Sequence, residues 1–257
     1  MFLGRFVSEG KEGVRINRFL ASCGVASRRK SEDLVREGRV AINGKVVSDL
    51  STRVLADDSV KVDGKRLRSS KEVSLLLYKP RGYLCTREDT HDRKTIYDLL
   101  PPKYERLNYV GRLDKESEGL LLLTSSGELC QKLTHPKHKI EKEYHVLTDR
   151  PLDRETAESF VEGVRTSEGF AQAERVASLE KGWSSLVLRQ GLKRQIRLMF
   201  GVKGFDVKRL LRVRIGELVA PNLAPGAFAE LDHEGIELLS QNPTAREGKM
   251  TGFPELE

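Results

Sequence analysis

The sequence is poor in cysteine, and this excludes two kinds of scaffold. Its 257 residues include three cysteines, Cys23, Cys85 and Cys130, which lie far apart and form no Cys-x-x-Cys pair. Disulfide-stapled domains and thiolate zinc sites need more cysteines at shorter spacings. We therefore expect three reduced, partly buried thiols.

Long apolar runs are also missing. No stretch approaches the roughly 20 apolar residues that a membrane-spanning helix requires. The start of the chain, Met1 to Gly13, has no hydrophobic segment before a small-residue cleavage site. These features predict a soluble, cytoplasmic protein.

Recognisable cofactor motifs are absent from the sequence as well. It contains no glycine-rich phosphate loop, no dinucleotide fingerprint and no zinc-ligand set. His135 and His138 are three residues apart, but Pro136 lies between them and no cysteine or acidic cluster accompanies them. We therefore expect neither a metal nor a cofactor.

What the chain does have is an excess of positive charge. Its 45 Lys and Arg residues exceed its 38 Asp and Glu residues, which gives a net charge of +7 and a pI near 9.3. This balance favours a polyanionic partner without identifying one, because ribosomal proteins and many housekeeping enzymes share it. The length allows one large domain or two smaller ones.

The first part of the chain predicts two helices followed by hairpins. Apolar residues at helical spacing indicate the first helix, namely Ile16, Phe19, Leu20 and Cys23. Ser27 can cap a second helix that ends at Gly38. The dipeptides Asn43-Gly44 and Asp63-Gly64, each between short apolar runs, then predict two hairpin turns.

The first turn of the second helix carries three cations, Arg28, Arg29 and Lys30. A helix start prefers anions, so this arrangement opposes local stability. Exposed helix-start amides beside a basic cluster suit an RNA phosphate, which would offset that cost. The alternative is that these side chains only reach into water, and we favour the phosphate role.

The stretch RINRFLASCGVASRRKSEDLVREGRVAINGKVV resembles the small RNA-binding domain named after ribosomal protein S four. This domain occurs on several unrelated enzymes, so the resemblance implies RNA binding and no particular chemistry. We place it at residues 14–68 and a linker at residues 69–72.

The most informative stretch runs from Gly111 to Gly119 and reads GRLDKESEG, followed by four leucines. An apolar run bounded by turn signals predicts a strand buried on both faces, which would anchor the charged loop before it. Asp114 in that loop would lose hydration unless a cation or donor replaced the water. On one interpretation the loop is an ordinary surface turn with solvated charges. On the other it is a reactive loop.

GRLDKESEGLLLLT resembles the catalytic-aspartate motif of the RNA pseudouridine synthases, and in detail that of the RsuA-type branch, which modifies ribosomal RNA. YKPRGYLCT resembles the first motif of this family and GLKRQIRLMF its third. The resemblance implies that Asp114 is the nucleophile and that Arg197 pairs with it and keeps it ionised. It also implies that Tyr144 stacks on the uracil. The alternative for Tyr144 is a half-buried strand aromatic that packs on the core.

The same resemblance implies contacts with RNA. The target uridine must be flipped out of its stem to reach the nucleophile. Arg112 would fill the gap that the base leaves, although an ion pair with Glu116 or Glu118 is the competing account. Further RNA contacts are expected from cations of the first and third motifs, Lys79, Arg81 and Arg194. Tyr109 replaces a proline that often precedes the family's central motif, so loop geometry or RNA contact can differ there.

Isomerising uridine to pseudouridine consumes no redox equivalent and no external group, so a carboxylate beside a cation suffices in principle. The sequence does not decide whether Asp114 adds to carbon 6 of uracil, attacks the anomeric carbon or assists loss of a ribose proton.

The larger domain, at residues 73–240, is predicted to be α+β, with helices on one side of a mainly antiparallel sheet. Strands are predicted at 73–78, 142–147, 164–165, 175–179, 183–188 and 207–215, and helices at 128–133, 153–162 and 190–200. Residues 86–106 receive no precise role, since a basic loop touching RNA and an ordinary insertion both fit. Residues 241–257 are predicted to be a flexible tail.

The sequence thus predicts a two-domain, monomeric enzyme that converts a uridine in folded ribosomal RNA to pseudouridine. A second hypothesis is a ribosome-assembly factor that holds ribosomal RNA without catalysis. A third is a retaining glycosidase that uses Asp114 with Glu116 or Glu118 at about 5 Å, and the basic module argues against it. Neither the modified uridine nor the ribosomal subunit follows from the sequence, because RNA shape recognition is poorly encoded in short motifs.

Overall fold

The structure is a computed structural model that describes residues 13–67, 71–220 and 222–243. These residues divide into two compact units, one within Met1–Glu72 together with Ser125–Gly127 and one within Val73–Thr124 and Glu128–Glu257. Residues 69 and 70 of the predicted linker and 244–257 of the predicted tail lie outside the described residues. No helix of the described ranges is both long and apolar enough to cross a membrane.

The amino-terminal unit has short elements. They are β1 (Val14–Arg15), α1 (Ile16–Ser22), α2 (Arg28–Arg36), β2 (Val40–Ile42), β3 (Lys45–Val46), β4 (Arg53–Val54), β5 (Val60–Val62) and β6 (Lys65–Arg66). Strands β3, β2, β5 and β6 form an antiparallel sheet in that order, and β1 pairs with β4. The predicted hairpin turns at Asn43-Gly44 and Asp63-Gly64 are confirmed, and all four residues have the positive φ that such turns require.

Helix α2 begins where the sequence predicts. The Ser27 side chain accepts a hydrogen bond from the amide of Lys30 at 3.3 Å, which satisfies one free donor of the helix start. Gly38 follows the helix at φ +69°, the left-handed conformation of a glycine stop. Both helices pack on the strands through a small apolar core of Ile16, Leu20, Val35, Val40, Val54, Val60 and Val62.

The larger unit is built on a nine-stranded sheet. Its elements are β7 (Ser74–Lys79), β8 (Asn108–Val110), β9 (Glu118–Thr124), α3 (Gly127–Thr134), β10 (Lys142–Thr148), α4 (Arg154–Glu162), β11 (Val164–Thr166), β12 (Gly169–Ala171), β13 (Arg175–Ser178), β14 (Trp183–Leu188), α5 (Gln195–Val202), β15 (Val207–Ile215), β16 (Leu218–Val219), β17 (Phe228–Glu230) and α6 (His233–Leu239). The predicted α+β class is confirmed.

The strand order of this sheet is β13-β14-β10-β15-β9-β7-β17, with β16 on β15 and β8 on β9. Strands β9 and β15 are parallel and pair only at Glu118 with Leu211 and Gly119 with Arg212. The other named strand pairs within the described ranges are antiparallel. Beyond the short parallel joint the two strands take different partners, β8 for β9 and β16 for β15. The joint therefore marks the line where the two halves of the sheet meet.

Each half of the sheet has its own core. Helices α4 and α5 cover the β10 and β14 half with a cluster that includes Phe160, Met199 and Phe200. Over β7 and β9, one cluster packs with α3 and α6 and another with the segment from Ile96 to Leu107. That segment contains two short 3-10 helices and buries Ile96 and Tyr104. Part of the segment 86–106 is therefore a structural cover on the sheet.

Some boundaries differ from the sequence prediction. Helix α5 begins at Gln195 rather than at residue 190, because Arg194 adopts a left-handed conformation that ends the preceding loop. In the larger unit, strands β8, β12, β16 and β17 and helix α6 were not predicted. They are short, and the apolar contacts that support them come from distant parts of the chain.

Candidate active site

Strand β9 anchors the loop that contains Asp114. All seven residues of β9 are buried, as the run of leucines predicts. A tight turn immediately precedes the strand, and in it the amide of Ser117 donates to the carbonyl of Asp114 at 3.0 Å. The carboxylate therefore lies on a turn that continues directly into the centre of the sheet.

Gly119 allows the two halves of the sheet to meet beside this turn. Its φ is +104°, and a Cβ atom added there would lie 2.3 Å from the carbonyl oxygen of Arg212. The contact is with backbone, so it cannot be relieved by a side-chain rotation. A glycine is required where β9 touches β15.

Cations hold the main chain of the turn. The Nζ of Lys79, at the end of β7, donates to the carbonyls of Ser117 at 2.7 Å and Lys115 at 3.2 Å. Nη2 of Arg197, on α5, donates to the carbonyl of Glu116 at 3.3 Å. Three consecutive carbonyls after Asp114 are thus bonded from two separate elements, β7 and α5.

The predicted RNA contact of Lys79 is not supported, because Lys79 is 0% exposed. Its ammonium also donates to the carbonyl of Pro80 at 3.0 Å, so its hydrogen-bonding capacity is used inside the protein. Burial lowers the pKa of Lys79, and the charges of nearby groups, Cys85, Glu116 and Asp114 among them, oppose that shift. Lys79 holds the turn in place.

The carboxylate of Asp114 is partly exposed. Its closest cation is Arg194, whose Nη1 lies 3.8 Å from Oδ2, with the two side chains 50% and 36% exposed. This separation is too long for a hydrogen bond, and such exposed pairs contribute little to stability. The described residues donate no hydrogen bond to this carboxylate, so it can reach an incoming ligand.

The structure does not form the predicted ion pair between Arg197 and Asp114, because the guanidinium of Arg197 bonds to backbone carbonyls, and the catalytic role of Arg197 stays a prediction. Its Nη1 donates to the carbonyl of Val207 at 2.9 Å and its Nη2 to that of Glu116. Burial lowers the pKa of Arg197, the charge of Arg194 adds to this, and the charge of Asp114 opposes it. The charge of Asp114 thus acts on Arg197, but the ion-pair partner of Asp114 is Arg194.

Glu116 and Glu118 of the motif pair with other arginines than Arg112. Glu118 is buried and pairs with Arg209 at 3.0 Å. Glu116 lies 3.7 Å from Arg81, and both are exposed. Within the described part of the chain, exposed Arg112 therefore pairs with neither glutamate, and Glu118 is not free to act with Asp114 as a glycosidase pair.

Tyr144 lies on the same row of the sheet as the motif. It is opposite Arg212 on β15, and Arg212 is opposite Gly119 on β9. Two strand spacings of ~4.8 Å therefore separate its backbone from that of Gly119. Its ring is partly buried against the core under α4 and α5, as the packing alternative predicts. Its contact with uracil stays a prediction.

The remaining predicted contacts lie in the amino-terminal unit. Arg28, Arg29 and Lys30 are exposed in the first turn of α2 and form no ion pair with another described residue. Their role in phosphate binding stays a prediction. Among the described ranges no group of three or more His, Cys, Asp or Glu side chains could hold a metal ion.

Two residues of the site were missed by the sequence analysis. Arg209 holds Glu118, and Gln195 holds the loop before α5. Gln195 offered one signal, since an amide side chain stands there beside apolar Ile196 on a helix whose other face is basic. For Arg209 the sequence offered no such signal beyond its place in an alternating strand.

Comparisons with known proteins return one kind of enzyme and one kind of RNA-binding domain. A family model described as RNA pseudouridylate synthase matches residues 73–201, and a model of the S4 domain matches residues 14–60. An uncharacterised RNA pseudouridine synthase of Aquifex aeolicus is 39% identical over 225 residues, which cover 85% of this chain and 90% of that protein. Ribosomal large subunit pseudouridine synthase B of Bacillus subtilis is 36% identical over 231 residues, or 88% and 95% of the two chains. A crystal structure of a pseudouridylate synthase matches with a TM-score of 0.64 and 28% identity, over 88% of this chain and 100% of that one.

Proposed function

This chain belongs to the RNA pseudouridine synthase family, and we propose that it converts one uridine of ribosomal RNA to pseudouridine with Asp114 as the nucleophile. The observation that carries this proposal is the placement of Asp114. Its carboxylate is partly exposed and free of hydrogen bonds from described residues, while the main chain around it is held by buried Lys79 and half-buried Arg197. A nucleophile needs this combination of a fixed position and free oxygens.

The proposed substrate is large-subunit ribosomal RNA. Support comes from the relatives in Bacillus subtilis and Pseudomonas aeruginosa, both named ribosomal large subunit pseudouridine synthase B and both 36% identical to this chain. A flipped uridine would enter beside Asp114, with exposed Arg112 free to contact the RNA that surrounds it. Arg81 and Arg194 are half exposed beside Glu116 and Asp114 of the turn and can meet phosphate.

The chemistry needs four changes at one nucleoside. The bond between nitrogen 1 and the ribose breaks, the uracil rotates, its carbon 5 forms a bond to the same ribose carbon, and carbon 5 then loses a proton while nitrogen 1 gains one, so that the product is an isomer of the substrate. Asp114 supplies the carboxylate for the first change. Tyr144, on the same row of the sheet, stacks on the uracil and assists the final proton transfer.

The proposed domain division is an RNA-binding domain at residues 14–68, a linker at 69–72, a catalytic domain at 73–240 and a tail at 241–257. The match of the S4 domain model to residues 14–60 and the division of the structure after Glu72 support it. In the first domain, Arg28, Arg29 and Lys30 bind RNA phosphate. We further propose that the protein acts as a monomer in the cytoplasm.

The test replaces Asp114 with Asn, which keeps the size of the side chain and removes its charge. Ribosomal RNA from cells that lack the gene is incubated with each protein, and pseudouridines are mapped in both subunit RNAs. We expect the wild-type protein to restore one large-subunit site and Asp114→Asn to restore none while retaining RNA affinity. The matched control is Asp57→Asn, at an exposed position of the amino-terminal unit, which should leave the product unchanged.

The same experiment tests the non-catalytic alternative. Wild-type protein that binds ribosomal RNA but makes no pseudouridine on either subunit RNA would contradict the enzyme and support an assembly factor. Undiminished product with Asp114→Asn would contradict the role of this carboxylate.

A further inference from the structure

A buried glutamine holds the loop that carries Arg194. Gln195 is the first residue of α5 and is 4% exposed. Its Oε1 accepts from the amide of Leu192 at 3.2 Å, and its Nε2 donates to Oε1 of Gln190 at 3.0 Å and to the carbonyl of Gln172 at 3.2 Å. The amide side chain thus bonds to the loop before the helix and to the end of β12.

Two further glutamines extend this network. Oε1 of Gln190 also accepts from the amide of Gln172 at 3.0 Å. Nε2 of Gln172 donates to the carbonyl of Val161, on α4, at 2.8 Å. The loop from Gln190 to Arg194 is therefore tied to the α4 and β12 side of the domain through three amides.

Arg194 adopts a conformation that needs such support. Its φ and ψ are 52° and 28°, in the left-handed region, which costs a residue other than glycine about 1–3 kcal/mol. No side chain caps the start of α5. The amide of Gln195 donates to the carbonyl of Leu192 at 3.3 Å, while its side chain accepts from the amide of Leu192. These two bonds close a small ring around Arg194.

We propose that Gln195 is a positioning residue that sets where the guanidinium of Arg194 lies relative to Asp114. The inference rests on the proposed function, since it concerns the cation next to the proposed nucleophile. Two other side chains of this loop make contacts: Leu192 packs on the core under α4 and α5, and Lys193 forms an exposed, 3.9 Å ion pair with Glu168 that is weak. The buried amide is bonded to the backbone of Leu192 and belongs to the residue that directly follows Arg194, so we assign to it the position of Arg194, 3.8 Å from Asp114.

A double-mutant cycle tests this role. Gln195→Leu keeps the approximate volume and removes the three polar contacts. We expect it to lower kcat about tenfold or more, with KM for a ribosomal RNA fragment changed by less than about twofold. In an Arg194→Ala background the same substitution should lower kcat by less than about twofold further, because its effect passes through Arg194.

Equal losses of kcat in the two backgrounds would overturn the proposal, because a general loss of structure lowers kcat whether or not Arg194 is present. An unchanged kcat for the single variant would overturn it too. Gln131→Leu, at an exposed position of α3, is the matched control and should leave kcat unchanged. If Gln195→Leu does not fold, Gln190→Leu takes its place in the cycle. Gln190 is exposed, and its loss removes one partner of the buried amide.

Crystal structures of the wild-type protein and of Gln195→Leu test the geometry without an activity assay. Loss of the left-handed conformation at Arg194, or its withdrawal from Asp114, supports the proposal. An unchanged Arg194 overturns it. If wild-type protein forms no pseudouridine, the proposed function fails, and these two structures still decide whether Gln195 positions Arg194.

Discussion

Replacing Lys79 with methionine separates two roles for the cation at the end of β7. Methionine keeps the apolar length of the side chain and removes the ammonium that bonds Lys115 and Ser117. An external RNA contact and an internal anchor for the Asp114 turn make different predictions for this change. The structure supports the anchor, because Lys79 is 0% exposed.

The expected loss follows from the three carbonyls that Lys79 serves. The carbonyl of Lys115 keeps the amide of Gly82, which donates to it at 2.8 Å, but those of Ser117 and Pro80 lose the ammonium. A buried polar group left without a partner costs about 1–3 kcal/mol. Relief from burying the ammonium offsets part of this cost. We expect the free energy of unfolding to fall by about 1–3 kcal/mol.

The effect on catalysis should be larger than the effect on RNA binding. A displacement of ~1 Å at a reacting group can cost about 100-fold in rate. We expect Lys79→Met to lower kcat about 10- to 100-fold in a pseudouridine assay on ribosomal RNA. The slope of log affinity against log salt should stay unchanged, whereas losing one phosphate contact reduces that slope by about 1.

The matched control is Lys132→Met, at an exposed position of α3. It should change neither the rate nor the urea midpoint. A Lys79 variant with wild-type stability and rate but a shallower salt slope would refute the anchoring role and restore the RNA contact that the sequence predicts.

Two further predictions concern the sheet around this turn. Gly119→Ala should lower the free energy of unfolding by at least about 3 kcal/mol in urea titrations, because the added Cβ would meet the carbonyl of Arg212. The control is Gly127→Ala, where the space is open, and it should lower the free energy of unfolding by less than about 1 kcal/mol. Equal effects of the two substitutions would contradict the reasoning. Burial lowers the pKa of Lys142 to about 8, and the charge of Arg212 adds to this shift. Folding therefore disfavours the charged ammonium. This destabilisation is full below about pH 8 and fades as the pH rises toward 10.5, the ordinary pKa of lysine. Lys142→Met should therefore stabilise the protein by roughly 1–3 kcal/mol at pH 7 and by clearly less at pH 9.5, and a gain that grows with pH would contradict this sign.

Local sequence rules predicted the parts of the fold that depend on neighbouring residues. Ser27 capped α2, the turn at Asn43-Gly44 closed its hairpin, and the leucines of β9 formed a buried strand. In each case the physical cause lies within a few residues of the element, as a side-chain acceptor, a tolerated positive φ or an apolar run. Such causes can be read from a single sequence.

Other features depend on contacts made across the fold. Nothing beside Lys79 in the sequence says that its ammonium meets the carbonyl of Ser117, 38 residues later. The basic, amphipathic pattern of 190–200 predicts a helix throughout, but hydrogen bonds of Gln190 and Gln195 with the backbone of Gln172 help to hold its first part as a loop. The family resemblance predicted Arg197 as the partner of Asp114 and Arg194 as an RNA contact, and only the structure shows that Arg194 forms the ion pair while Arg197 bonds to the backbone.

The oxygens of Asp114 and the backbone that holds them are under opposite requirements. Hydrogen bonds to the lone pairs of a carboxylate lower its nucleophilicity, and the described residues donate none to Asp114. Precision must then come from the main chain, and here Lys79 and Arg197 bond the three carbonyls that follow Asp114. Lys79 is fully buried at the end of β7, and Arg197 is half-buried on α5. Because they act on the backbone, the position of the carboxylate should survive the loss of Arg194, while its electrostatic surroundings should not.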